Sequence, residues 1–220
     1  MASVPWRRIG LAALGLFGVA ACGPGPAPEG LDLDLVPYGK ILTAEDLEDA
    51  AMVVVLPVHD YPSELADVDL YDEGWTTPEI TVLSGYVDYG GLLVLTDGSA
   101  RLGPFGRPRE SNEDWGDLNP LAARFGLEFV APIDGSSADA HASHTLVDGI
   151  DTLVMVSGNA IGLATPPESG RVLATSGGTP VVIHVDIGES GGEVFALGDV
   201  GMLISQGGQP SNCRFWQNLA

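Results

Sequence analysis

The sequence predicts an α/β fold: three layers, a mostly parallel sheet with flanking helices, and a β-rich C-terminal part. Three observations carry this expectation. Leu92 to Leu95 is a continuous apolar run with Gly90-Gly91 before it and Thr96-Asp97-Gly98 after it, the pattern of a strand buried on both faces. Directly ahead, Thr77-Pro78-Glu79 opens a helix with a capping threonine, a proline at the first helical position and an acid near the positive end. Short β segments separated by glycine turns fill the last third of the chain. Open sheets of this kind bind ligands at the carboxyl ends of their strands, so Thr96-Asp97-Gly98-Ser99 is where chemistry is expected.

Taken from the start, residues 1–21 read as a lipoprotein signal peptide. Arg7-Arg8 forms a positive region, Ile9 to Val19 is apolar, and Val19-Ala20-Ala21-Cys22 resembles a bacterial lipobox. That resemblance implies cleavage before Cys22, lipidation of its sulfur and anchoring by lipid rather than by a span. Gly23 follows Cys22 where an aspartate is absent, a pattern that resembles outer-membrane sorting in Gram-negative bacteria. With Cys22 consumed, Cys213 is expected to be a packing thiol with no internal disulfide. Residues 22–30 form a Pro/Gly tether, and residues 31–220 are expected to be a single domain.

Leu31 to Val36 alternates apolar and acidic residues and reads as a short first strand, whose edge another chain could complete. Thr43 to Asp46 resembles a capping box for one helical turn over Leu47 to Ala50, and Met52 to Leu56 is a second buried strand. His59 and Asp60 follow at its carboxyl tip. The acidic stretch Glu64 to Glu73 reads as a solvated loop, because its Gly and Glu positions do not fit an EF-hand. After the central strand, Arg101 to Asp117 is a long irregular segment. Its Arg101, Arg107 and Arg109 are basic residues on an acidic chain and mark a candidate contact for an anionic ligand or partner.

Asn119-Pro120 is expected to cap a helix ending at Phe125-Gly126, followed by a strand at Leu127 to Val130 and a loop from Asp134 to His144. His141 and His144 form H-x-x-H without a third ligand at fixed spacing. Strands are expected at Leu153–Val156, Ile161–Ala164, Val172–Thr175, Pro180–Asp186 and Glu193–Leu197, with a terminal helix at Ser211–Leu219 that packs Phe215 and Trp216. The formal charge is −21 and becomes −23 once Arg7 and Arg8 leave (−21 − 2), which argues against nucleic acid as a partner.

The order of "TTPEITVLSGYVDYGGLLVLTDGS", "NPLAARFGLEF", "HTLVDGIDTLVM" and "GEVFALGDVGML" resembles bacterial domains of the class I glutamine amidotransferase-like (flavodoxin-like) fold. That fold also occurs in GldG-like transport-associated proteins and in an intraflagellar-transport component. The resemblance spans roughly residues 31–219. It implies a catalytic cysteine after the central strand and a late His-x-Glu. Here Asp97-Gly98-Ser99 stands in place of the cysteine and Asp199 in the late "ALGD" has no histidine beside it. The expectation is therefore a non-catalytic, lipid-anchored envelope protein that binds a ligand or protein partner and uses no cofactor. Its candidate surface is His59, Asp60, Asp97, Ser99 and Asp199, with Arg101, Arg107 and Arg109 alongside. Two alternatives are a hydrolase using Ser99 with His59 or His184, and a divalent-metal site at Asp60, Asp97 and Asp199.

Overall fold

A computed structural model describes residues 8–12, 32–36, 41–55, 75–97, 115–141, 143–155, 158–163, 170–203 and 210–219. Eleven strands form among them: β1 (Arg8–Ala12), β2 (Asp32–Val36), β3 (Ala50–Val55), β4 (Leu92–Thr96), β5 (Leu127–Ile133), β6 (Ser137–Ala140), β7 (Thr152–Val154), β8 (Gly158–Leu163), β9 (Gly170–Ser176), β10 (Thr179–Ile187) and β11 (Gly192–Leu197). The helices are α1 (Thr77–Asp88), α2 (Trp115–Ala122) and α3 (Pro210–Leu219).

Nine strands make one mixed sheet in the order β2-β1-β3-β4-β11-β10-β9-β6-β7, and β5 pairs with β8 in a second. The first five of the nine run parallel and the rest antiparallel. The sheet curls into a half-barrel, and the described chain is mostly β. The expected three-layer, mostly parallel α/β fold is thereby corrected. Two physical reasons stand behind the difference. Parallel neighbours need a crossover, but the one between β2 and β3 contains only a 3-10 turn at Ala44–Leu47 within its described part. From β9 onward the strands are hairpins joined by tight turns such as Gly177-Gly178, both at positive φ, and such turns require no helix.

Strand alternation assigns the core. Val53, Val55, Leu93, Leu95, Ile183, Val185 and Val194 face one layer, where Leu83 and Val87 of α1, Leu121 of α2 and Phe129 of β5 cover them. Met52, Val54, Val94, Val182, Phe195 and Leu197 face the other, covered by Leu146 and by Phe215 and Trp216 of α3. Each such aliphatic side chain, removed from water, contributes about 1.5–3 kcal/mol.

Helix α1 explains the entry to β4. Its cap is Thr76, one residue before the expected Thr77. The Thr76 N–H and hydroxyl donate to Glu79 at 3.1 and 2.6 Å, and Glu79 also accepts the Leu42 N–H at 3.2 Å. Gly90, at φ 94°, ends the helix, and the Gly91 N–H closes back on the Tyr86 carbonyl. Other boundaries also move. The early turn covers Ala44–Leu47 rather than Leu47–Ala50, and Asn119 lies inside α2 instead of capping it. Arg8–Ala12, which the sequence assigns to the signal peptide, stands in this structure as β1 between β2 and β3.

Candidate functional site

Of the expected surface, Asp97 and Asp199 are described. Cys22, His59, Asp60, Ser99, Arg101, Arg107 and Arg109 lie outside the described residues, as does the Glu64–Glu73 loop. The parallel strands β4 and β11 lie side by side, with Thr96 paired to Leu197. This pairing brings Asp97 and Asp199 to one carboxyl edge. The Asp97 N–H donates to the Leu197 carbonyl (3.0 Å), and the Asp97 carbonyl accepts the Val200 N–H (2.6 Å). Both aspartates are buried. The Asp199 carboxylate accepts the Gly201 N–H at 2.7 Å and so holds the turn after β11.

Sequence reasoning missed the residue that ties this edge together. Asn159, 2 % exposed, donates its Nδ2 to Asp97 Oδ2 at 2.6 Å, while its own N–H reaches the Gly198 carbonyl at 2.8 Å. The Asn159 Oδ1 is buried and has no hydrogen-bond partner among the described residues. The only sequence signal for it is the small residue Gly158 ahead of it, where a Cβ would stand 3.3 Å from that of Asp199. Two further buried polar groups brace the edge from below. Thr96 donates to the Val55 carbonyl at 2.7 Å, and Asn212 of α3 bonds both main-chain groups of Val154 and the Gly201 carbonyl.

His184 does not join this edge. Its register partner is Phe195, two residues before the end of β11, so it lies about 7 Å down the sheet. It is 2 % exposed, stacks on Phe195 (centroids 4.6 Å apart) and packs against His144, also at 4.6 Å. Its Nε2 stands 3.2 Å from Glu193 and 3.5 Å from Asp186. His144 accepts the Leu146 N–H on Nδ1, which fixes the neutral Nε2–H tautomer. Burial first, then the His184 imidazole, hold His144 below the ordinary 6.5; Arg171 adds to this, while Glu193 and Asp186 pull the other way. His141 turns elsewhere and meets Thr175 Oγ1 at 2.5 Å, so the two histidines of H-x-x-H do not converge. No group of three or more His, Cys, Asp or Glu side chains among the described residues is placed to hold a metal.

Cys213, buried in α3, is disulfide-bonded. The expectation of a packing thiol without a disulfide is corrected by this finding. The sequence contains two cysteines. At the opposite, amino end of the parallel strands, a cleft of about 640 Å³ opens between the Ala44–Leu47 turn, Ala50-Ala51 and the last turns of α1.

No protein-family model matches the chain, and no curated protein matches it. Among solved structures, a cytoplasmic protein from Salmonella typhimurium is similar at TM-score 0.62 and 14 % identity, with 96 % of each chain covered. A protein described as ThuA-like from Bacteroides uniformis is similar at TM-score 0.56 and 13 % identity, over 100 % of this chain and 93 % of that one. The mmIFT52 N-terminal domain is similar at TM-score 0.55 and 14 % identity, covering 77 % of this chain and 74 % of its own. At these identities the likeness is one of fold.

Proposed function

We propose that this is a lipid-anchored envelope protein without catalytic activity, which binds a protein partner or ligand at the carboxyl edge of its sheet. The Asp97–Asn159–Asp199 cluster carries the reading. It holds two buried carboxylates and a carboxamide oxygen, all acceptors, and the buried Asn159 Oδ1 has no donor among the described residues. An unmet buried acceptor costs about 1–3 kcal/mol, which a bound N–H or O–H group offsets. A partner offering basic or hydroxyl groups fits this edge. The anchor rests on the lipobox-like segment before Cys22, and the outer membrane is its favoured site in a Gram-negative cell. Lipid on the Cys22 sulfur and a disulfide at that sulfur exclude one another.

Two measurements test this. Metabolic labelling with a fatty acid, followed by mass spectrometry of the amino-terminal peptide, reads the anchor. Label on the wild type and none on Cys22→Ser supports it, and an unlipidated Cys22 linked to Cys213 refutes it. For the edge, photo-crosslinking in membranes compares a probe at Val200 with one at Tyr89, which is at the other end of the sheet. A defined adduct from Val200 alone, lost on Asn159→Ala, is the expected result. Equal adducts from both probes, or none from either, would overturn the binding reading.

The same orphan oxygen favours a second reading. Asp97, Asp199 and Asn159 offer hard oxygen donors of the kind calcium and magnesium take. Saturating cation at about 100 times its Kd would stabilise the fold by about 2.7 kcal/mol. Melting curves identical in calcium, magnesium and chelator would remove this reading.

A further inference from the structure

Removal of residues 1–21, on which this inference rests, takes β1 out of the interior of the sheet. The described partner of β2 is β1, and β3 has β1 on one side and β4 on the other. Cleavage therefore strips β2 of that partner and leaves one edge of β3 without a ladder. Unpaired main-chain N–H and C=O groups inside a parallel sheet are costly. We infer that in the processed protein β2 moves inward by one strand and pairs directly with β3, in the register that β1 holds here.

The register makes the exchange possible without reversing or sliding a strand. Ile9 stands between Leu33 and Met52, Leu11 between Leu35 and Val54, and Ala12 between Val36 and Val55. The apolar positions of β1 and β2 thus coincide at Ile9/Leu33, Leu11/Leu35 and Ala12/Val36. Both strands run parallel to β3 through this pairing. In the exchanged register Leu33 meets Met52, Leu35 meets Val54 and Val36 meets Val55. Only at Gly10, where Asp34 enters, does a charge replace a neutral residue.

The connecting chain allows the move. Between Val36 and Ala50 lie 13 residues (49 − 36). Returning along a five-residue strand takes about 17 Å, and 13 residues reach up to about 43 Å. Moving β2 inward halves the sideways gap, from about 9.6 Å to about 4.8 Å. The amino-terminal tether imposes no loop closure within the sheet, because after cleavage it is joined only to the lipid at Cys22.

The test uses protein extracted from bacterial membranes in a Cys213→Ser background, carrying the pair Leu35→Cys and Val54→Cys. In the processed protein these positions become neighbours, and mild oxidation should remove both thiols through a link within one chain. The same pair on a Cys22→Ala chain, which keeps residues 1–21, should stay reduced. There β1 separates the positions by about 9.6 Å, beyond the Cα spacing of about 7 Å that a disulfide tolerates. Hydrogen exchange on the unsubstituted processed protein gives an independent reading. Amides of residues 32–36 should exchange at least about tenfold more slowly than a free chain. Free-chain exchange at 32–36, or introduced thiols that link only between two copies, would overturn the inference. Intact mass separates this from a failure of its premise: residues 1–21 retained on the wild type would remove the anchor reading, and this inference with it.

Discussion

Substitution of Gly198 by alanine is the sharpest test of how the carboxyl edge is held. A Cβ built on Gly198 would stand 2.1 Å from the Asn159 carbonyl oxygen and 3.4 Å from that of Val181, where ordinary contact begins near 3.4 Å. The first gap must open by about 1.3 Å (3.4 − 2.1), and the obstacle is main chain, which cannot rotate aside. The same main chain carries the Asn159 N–H to Gly198 carbonyl bond and the Gly198 N–H to Val181 carbonyl bond, both 2.8 Å. Overpacking costs about 1–3 kcal/mol and each weakened bond about 0.5–1.5 kcal/mol, giving about 4 kcal/mol in all. For a domain of this size that lowers Tm by about 8–16 °C. Gly85→Ala is the control, since nothing lies within 4 Å of a Cβ there and the residue is helical. It should gain about 0.5–1 kcal/mol. Thermal melts followed by circular dichroism compare the two variants with the wild type. A Gly198→Ala protein that melts within about 2 °C of the wild type would refute the argument that this contact is closed.

Three more outcomes follow from the same geometry. Asn212→Ala leaves both main-chain groups of Val154 and the Gly201 carbonyl without their partner, so urea denaturation should show a loss of about 2–4 kcal/mol. Asn159→Asp replaces the donor to Asp97 with a carboxylate. The loss should be about 3 kcal/mol at pH 7 and smaller at lower pH, because two adjacent carboxylates favour protonation of one of them. His144 has a folded pKa below 6.5, so the unfolded chain takes up its proton first. Its contribution to stability is present above pH 6.5 and is lost as pH falls through the folded value. The urea midpoint should drop between pH 7.5 and pH 5, and His144→Gln should flatten that drop; an unchanged slope in the variant would assign the effect to other groups.

The strands from β3 to β11 were largely legible because their signal is local. Val53 to Val55, Leu93 to Leu95 and Val181 to Ile183 are apolar runs, and the structure places strands over each. Helix α3 was legible for the same reason, with Phe215 and Trp216 buried as expected. Strand β6, Ser137–Ala140, was not. Its small and polar residues carry no alternation, and pairing with β7 and β9 decides its conformation. Curling of the sheet is a property of many strands together, so no window of sequence reports it. At the edge, Asp97 and Asp199 could be found from their places after apolar runs. Asn159 could not, because it is recruited from β8, a member of the other sheet.

The place of β11 has a consequence for how the molecule is made. Strand β4 lies between β3 and β11, so one of its two flanks stays bare until residues 192–197 exist. A ribosome or an export channel delivers the amino-terminal half first, and that half holds β3, α1 and β4 with an open side. The hairpins of β9, β10 and β11 pair with near neighbours and form fast once they emerge. The last strand to arrive is thus the template against which an older strand closes. A chain cut short before Gly192 keeps the bare flank of β4, a ready substrate for proteases and for pairing with other incomplete chains.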